Sequence, residues 1–172
     1  MIAIPNPLHP AIVHFPIVLI LIGTLVAMVA AIFRRWRLPW LATALLVAGA
    51  AGAALAVRTG SQQAEMVGEI SDRAEVILDQ HEEWGELTRN IAITAAILAL
   101  ASAALTRFSK VSHGLGIATA IVAGAAAYAV AETGHYGGQL VYKHCVGINI
   151  AAGNNPADTG AKTFHPITDG GD

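Results

Sequence analysis

Four apolar blocks run through the chain, and their lengths restrict it to very few folds. The first reads AIVHFPIVLILIGTLVAMVAAIF at 11–33 and the second LPWLATALLVAGAAGAALAV at 38–57. A third lies at about 90–106 around IAITAAILALASAAL, and a fourth at about 113–133 around GLGIATAIVAGAAAYAVAE. A helix rises about 1.5 Å per residue, so roughly 20 apolar residues cross a hydrocarbon layer about 30 Å thick. The third block is short and is expected to be lengthened by flanking helix. The prediction is an all-α integral membrane four-helix bundle made by residues 1–150, with an irregular tail at 151–172.

Composition agrees. The 172 residues are 55% hydrophobic and only 13% charged, whereas a soluble domain carries about a quarter charged residues. A net charge of −2 gives no reason to expect nucleic-acid binding. The single cysteine, Cys145, cannot form an internal disulfide. Residues 1–10 lack a basic region and the first block is too long for a signal sequence, so no cleaved signal is expected. The Gly- and Ala-rich runs AGAAGAALA and AGAAAYAVA fit close helix packing, because small residues let backbones approach in lipid.

The basic residues set the expected orientation. Arg34, Arg35 and Arg37 join the first two spans, and Arg107 and Lys110 join the last two; together they are five of the ten Lys and Arg. The positive-inside rule places both tight loops in the cytoplasm. Both termini and the 58–90 segment then lie outside, on the periplasmic side of a bacterial inner membrane. The stretch EMVGEISDRAEVILDQHEEWGELTRN has helix-forming composition, with Ile70, Val76, Ile77, Trp84 and Leu87 among its acids. It is expected to form a helical outer cap that runs, from about Asp79, without a break into the third span. The tail is rich in Gly, Asn, Pro and Asp, and a segment of that kind needs a partner subunit or the cap to hold it.

Five of the seven histidines, His9, His14, His81, His135 and His144, fall on the expected outer side. His113 is cytoplasmic in this topology and His165 lies in the tail. Depth along helices suggests two layers. His14 and His135 each sit about one turn from an apolar boundary. His81 stands about 15 Å above the third apolar block, and His144 about 13 Å beyond His135 if the helix passes Gly137 and Gly138. His9 reaches the upper layer as well. A bend at the glycine pair is the alternative.

Imidazole is the commonest metal ligand near neutral pH. Two imidazoles from different helices can hold a haem iron across a bundle core. No Cys-x-x-Cys-His occurs, so such a haem is non-covalent. Glu65, Glu82, Glu83 and Glu132 offer rival chemistry, a His–carboxylate set for zinc, manganese or non-haem iron. No His-Glu-x-x-His accompanies them, and Glu132 also suits orientation of His135.

The segments HPAIVHFPIVLILIG, TGSQQAE (59–65), DQHEEWG (79–85) and GHYGGQLVYKHCVGIN (134–149) together resemble a family of bacterial membrane proteins catalogued as domain of unknown function 2231. The resemblance covers about residues 6–150. It implies a four-helix membrane domain with histidines at these places, and the fusion of some relatives to Rieske or cytochrome domains implies redox work. His9, His14, His81, His135 and His144 stand where the family motif has histidine, and Gly137, Gly138, Tyr142 and Gly147 also fit. The SQQAE stretch is less acidic than the family loop, and Cys145 replaces a common glycine.

These readings lead to one functional expectation. The chain is expected to be a multi-pass, b-type cytochrome-like subunit of the inner membrane, binding one or two haem b groups near the outer face. It would pass electrons between an outer redox partner and quinone or another membrane subunit. Depth favours His14 with His135 and His81 with His144 as ligand pairs, with His9 as the substitute. The alternative is a non-redox membrane subunit whose histidines bind a non-haem metal or organise a partner-docking cap. A stand-alone enzyme fits the residues less well than a subunit.

Overall fold

Inside a bilayer a backbone amide finds no water, so every crossing segment must satisfy its own hydrogen bonds, as a helix does. The computed structural model, which describes residues 9–33, 37–65, 68, 70–144 and 146, is helical accordingly. A short turn α1 (His9–Ile12) leads into α2 (His14–Phe33), followed by α3 (Leu38–Ala64), α4 (Asp72–Ala104) and α5 (Ser109–Tyr142). Four helices, the first counted from His9 to Phe33, are long and apolar enough to cross a membrane. The chain is therefore an all-helical membrane protein with four candidate spans.

The helices alternate in direction around a square. α2 packs against α3 and α5, and α4 packs against the same two, so α2 and α4 occupy opposite corners, as do α3 and α5. The α4–α5 pair is packed most extensively. Its turn is clasped by a reciprocal pair of hydrogen bonds, Ser102 Oγ donating to Ser112 O and Ser112 Oγ to Ser102 O, both 2.9 Å.

Packing inverts the pattern of a soluble protein. Alanines fill the core, among them Ala95, Ala123 and Ala126, each with no exposed surface. Large side chains such as Leu25, Ile32, Ile97 and Ile121 face outward, as suits contact with lipid tails. Only Ile20 and Leu46 are both large and wholly enclosed among the described residues, and each sits over a glycine of the facing helix. A Cβ on Gly49 would stand 2.9 Å from Ile20 Cγ1, and one on Gly23 3.0 Å from Leu46 Cδ2. This mutual knob-and-gap fit lets α2 and α3 approach closely.

The helices outrun their apolar blocks. The cap is not a separate unit: α4 is one rod of 33 residues, about 50 Å long against the 30 Å of a hydrocarbon core. It begins at Asp72, nearly two turns before the expected Asp79. Ser71 explains the early start, because its Oγ accepts the Ala74 amide at 3.3 Å, and Asp72 and Glu75 place negative charge at the helix N-terminus. α3 likewise continues to Ala64 rather than ending near 57. α5 runs straight through Gly137 and Gly138 to Tyr142, so no break occurs there. Near the start of the chain, Pro16 has no amide to donate, and the helix is interrupted at Val13, between α1 and α2. The tail, Cys145 and His165 lie outside the described residues.

Candidate functional site

The two ends of the bundle differ in chemistry. At the end where α1 begins and α5 finishes, the helices part around a cavity of about 750 Å³. Its depth is apolar, lined by Pro16, Ile17, Ile20, Ala53 and Val130. Its rim carries Ser61, Gln63, Glu82, Glu83 and Glu86, and no Lys or Arg is among the described residues that line it. Two histidines line it, His9 from α1 and His81 from α4.

These two rings come from opposite corners and meet. Their centroids are 6.3 Å apart and their planes cross at 86°. Each is anchored in the same way. His9 Nδ1–H donates to the Ala56 carbonyl of α3 at 2.8 Å, with Thr59 Oγ1 at 3.4 Å. His81 Nδ1–H donates to the Thr133 carbonyl of α5 at 2.9 Å. One turn beyond each carbonyl stands a glycine. A Cβ on Gly60 would lie 2.9 Å from His9 Cε1, and one on Gly137 would lie 3.0 Å from His81 Cε1. The glycines thus clear the space that lets an imidazole reach a helix carbonyl.

The arrangement is a pseudo-two-fold. One half is a ring from α1 held by Ala56 and Gly60 of α3; the other is a ring from α4 held by Thr133 and Gly137 of α5. In a neutral imidazole with Nδ1 protonated, Nε2 keeps its lone pair. Both anchors therefore produce the tautomer that a metal-binding histidine needs, with the second nitrogen oriented by a carbonyl.

Beneath His81 lies a small hydroxyl chain. Thr133 Oγ1 donates to Ala129 O at 2.8 Å, so the Thr88 hydroxyl, 3.1 Å away, is the donor to Thr133 Oγ1. Thr88 is buried, and this bond ties α4 to α5 just below the ring. Gln63 Oε1 is the one buried side-chain oxygen or nitrogen without a hydrogen-bond partner among the described residues. It belongs to the cavity lining.

The remaining candidate ligands are placed elsewhere. His14 is exposed and donates from Nδ1 to Pro10 O at 2.9 Å, one turn back on its own segment. His135 is exposed, accepts at Nε2 from Gln139 Nε2–H at 2.8 Å, and lies edge-on to Tyr136. His144 is half-buried just past α5, its amide bonded to Gln139 O. None of the three lines the cavity, and none is in ring contact with another histidine among the described residues. The ring contact between histidines joins His9 with His81 edge-on, whereas the pairs suggested by depth are His14 with His135 and His81 with His144. His113 lines a smaller hollow of about 210 Å³ at the opposite end. Among the described residues no three His, Cys, Asp or Glu side chains gather to hold a metal ion by themselves.

Sequence reasoning reaches His9 and His81 but misses their supports. Ala56, Gly60, Thr88, Thr133 and Gln63 carry no motif by which a ring partner on another helix is read. The hints are that Gly60 and Gln63 fall in the TGSQQAE segment and Gly137 in the GHYGGQLVYKHCVGIN segment, neither of which says what the glycine faces.

Comparison with known proteins speaks to kind rather than chemistry. No curated protein and no solved structure matches the chain. A family model does match, over residues 5–149, which includes both halves of the histidine site and all four helices, and on that ground the chain belongs to the family described as predicted membrane protein (DUF2231).

Proposed function

We propose that this protein is a b-type haem-binding electron-transfer subunit of a bacterial inner membrane, in which His9 and His81 would hold the haem. The observation that carries the reading is the pair of inward rings, each with Nδ1–H fixed on a helix carbonyl. Two imidazoles that share one metal through nitrogen, with bonds of about 2 Å and ring radii of about 1 Å, would have centroids up to about 6 Å apart. The 6.3 Å separation fits that span. Two ligands from the protein suffice for a haem, whose ring supplies the other four, whereas a protein-only zinc site takes three or four. The apolar depth of the cavity suits a flat macrocycle, and its 750 Å³ falls in the range of ligand sites generally.

When bound, haem iron exchanges one electron between its ferric and ferrous states. The chain's own part is to orient both imidazoles, exclude water with Pro16, Ile17 and Ile20, and hold the rings across all four helices. The basic turns at the far end, with Arg37, Arg107 and Lys110, support a topology in which the site faces away from the cytoplasm. Outer redox proteins, quinone or a neighbouring membrane subunit are the partners such a position would serve.

The test is optical. Protein purified from haem-replete membranes is expected to show a Soret band, a dithionite-reduced low-spin spectrum and a pyridine haemochrome of haem b. His9→Ala and His81→Ala should each abolish it. Purified protein without haem, or with zinc in its place, would overturn the reading and favour a non-redox metal or docking subunit.

A further inference from the structure

The four spans share one pattern. Each contains a stretch of 17 residues, at 16–32, 41–57, 90–106 and 111–127, without Phe, Tyr, Trp, Asp, Glu, Lys or Arg. Such a stretch makes about 26 Å of helix, close to the thickness of a hydrocarbon core. Aromatic or basic residues bound every stretch. At the end with the basic turns they are Phe33, Trp40, Arg107 and Lys110; at the histidine end they are Phe15, Arg58, Arg89 and Tyr128. Phe15, Phe33, Trp40 and Tyr128 are exposed on the bundle surface. Aromatic rings settle at the membrane–water boundary, and Lys and Arg extend their charge toward it. Trp84 reinforces the girdle at the histidine end. Its ring lies edge-on to Tyr128 at 6.0 Å, and the Tyr128 hydroxyl donates to Glu132.

The cavity takes a definite depth against that girdle. Thr133, whose carbonyl holds His81, is five residues beyond Tyr128, about 7.5 Å along α5. Pro16 faces Gly52, where a Cβ would stand 3.2 Å from Pro16 Cδ, so Gly52 marks the level of Phe15 on α3. Ala56, whose carbonyl holds His9, is one turn farther out, about 6 Å. The floor lies on the other side of the girdle. Ile20 lines it and is five residues inside Phe15, again about 7.5 Å. A headgroup layer is about 5–8 Å thick.

We propose that the cavity straddles the hydrocarbon boundary, with the His9–His81 pair encircled by lipid headgroups and the floor at Ile20 inside the hydrocarbon. The surface that seats the lipid boundary is the girdle of Phe15, Trp84 and Tyr128. A ligand that fills the cavity then has an apolar part in the hydrocarbon and a part among headgroups, so its class is amphipathic. A redox partner in the water reaches the rings without crossing hydrocarbon. This placement goes beyond the haem reading and does not depend on it.

Depth measurements on the full-length chain in lipid nanodiscs test it. Trp36→Phe with Trp40→Phe leaves Trp84 as the sole tryptophan. Its fluorescence should be lost mainly to lipids brominated near the headgroup, and little to lipids brominated at the chain end. In a Cys145→Ser background, a nitroxide on Glu83→Cys, two residues from His81, should collide more often with a water-soluble nickel chelate than with oxygen. One on Ile97→Cys, at mid-span, should show the reverse. Both positions are exposed, so the labels leave the core intact. Deep quenching of Trp84, or a Glu83→Cys label that meets oxygen more than nickel, would put the site within the hydrocarbon and overturn the placement. Neither measurement uses haem, so this failure is distinct from the absence of a Soret band, which overturns the haem reading alone.

Discussion

Replacement of Gly137 by alanine tests the site through a single methyl group. The new Cβ would stand 3.0 Å from His81 Cε1 and 3.2 Å from Nδ1. Carbon atoms rest at about 3.5–4.0 Å, so the ring must retreat by roughly half an ångström or more. That retreat stretches the 2.9 Å bond to the Thr133 carbonyl toward the limit of a hydrogen bond. Losing it removes about 0.5–1.5 kcal/mol. Alanine returns about 0.8–1 kcal/mol relative to glycine in a helix interior. The two effects nearly cancel, so the apoprotein should melt within a few degrees of wild type. Haem affinity should nevertheless fall about 10–100-fold, the usual result of disturbing the group that orients a metal-binding histidine. Gly138→Ala is the internal control, because a Cβ there would meet nothing within 4 Å beyond the adjoining backbone of its own helix. It should keep full haem content and gain up to about 1 kcal/mol. Haem retention and circular dichroism melting in the same micelle read both quantities. Equal haem loss in the two variants, or none in Gly137→Ala, would refute the reasoning that glycine clears the ring.

Other outcomes follow from the same geometry. His14→Ala and His135→Ala should retain haem and its low-spin spectrum, while His9→Ala loses it; the opposite pattern would move the ligand pair to the exposed histidines. Thr88→Val removes the buried hydroxyl that donates to Thr133 and should destabilise the protein by about 1 kcal/mol, as measured by thermal unfolding. Gly49→Val drives branched carbon into Ile20, 2.9 Å from the Cβ position, and should destabilise the α2–α3 seam by about 1–3 kcal/mol. In a Cys145→Ser background, a membrane-impermeant maleimide should label Ser71→Cys in cells with a permeable outer envelope, and Lys110→Cys only after lysis. The reverse result would invert the proposed topology.

The membrane architecture is legible in the sequence because it depends on length and polarity alone. The block from Ala11 to Phe33 cannot be anything shorter than a span, and the arginines after it mark its end. Which histidine faces inward is not legible. His9 and His14 are five residues apart, so on a helix they point about 140° away from one another and only one enters the bundle. Their neighbours, Val13 and Phe15 among them, are apolar on every side, so hydrophobic periodicity does not choose a face. Depth along each helix therefore groups His14 with His135, although both point outward. The supports are invisible for another reason: Ala56 acts through its carbonyl and Gly60 and Gly137 through an absent side chain, and neither leaves a chemical signature in a sequence. The extent of α4 hangs on Ser71, a cap whose hydroxyl is hard to tell from that of any loop serine until the Ala74 amide is seen to reach it.

The pseudo-two-fold of the site also bears on how the molecule is made. A chain emerges from its N-terminus, and α2 with α3 can pair as soon as both have entered the bilayer, uniting His9 with Ala56. His81 must wait for Thr133 and Gly137, near the end of the last helix. A truncated product lacking α5 therefore keeps His9 seated on Ala56 but leaves His81 without its Thr133 carbonyl, so the paired anchors are completed only when the last helix is in place.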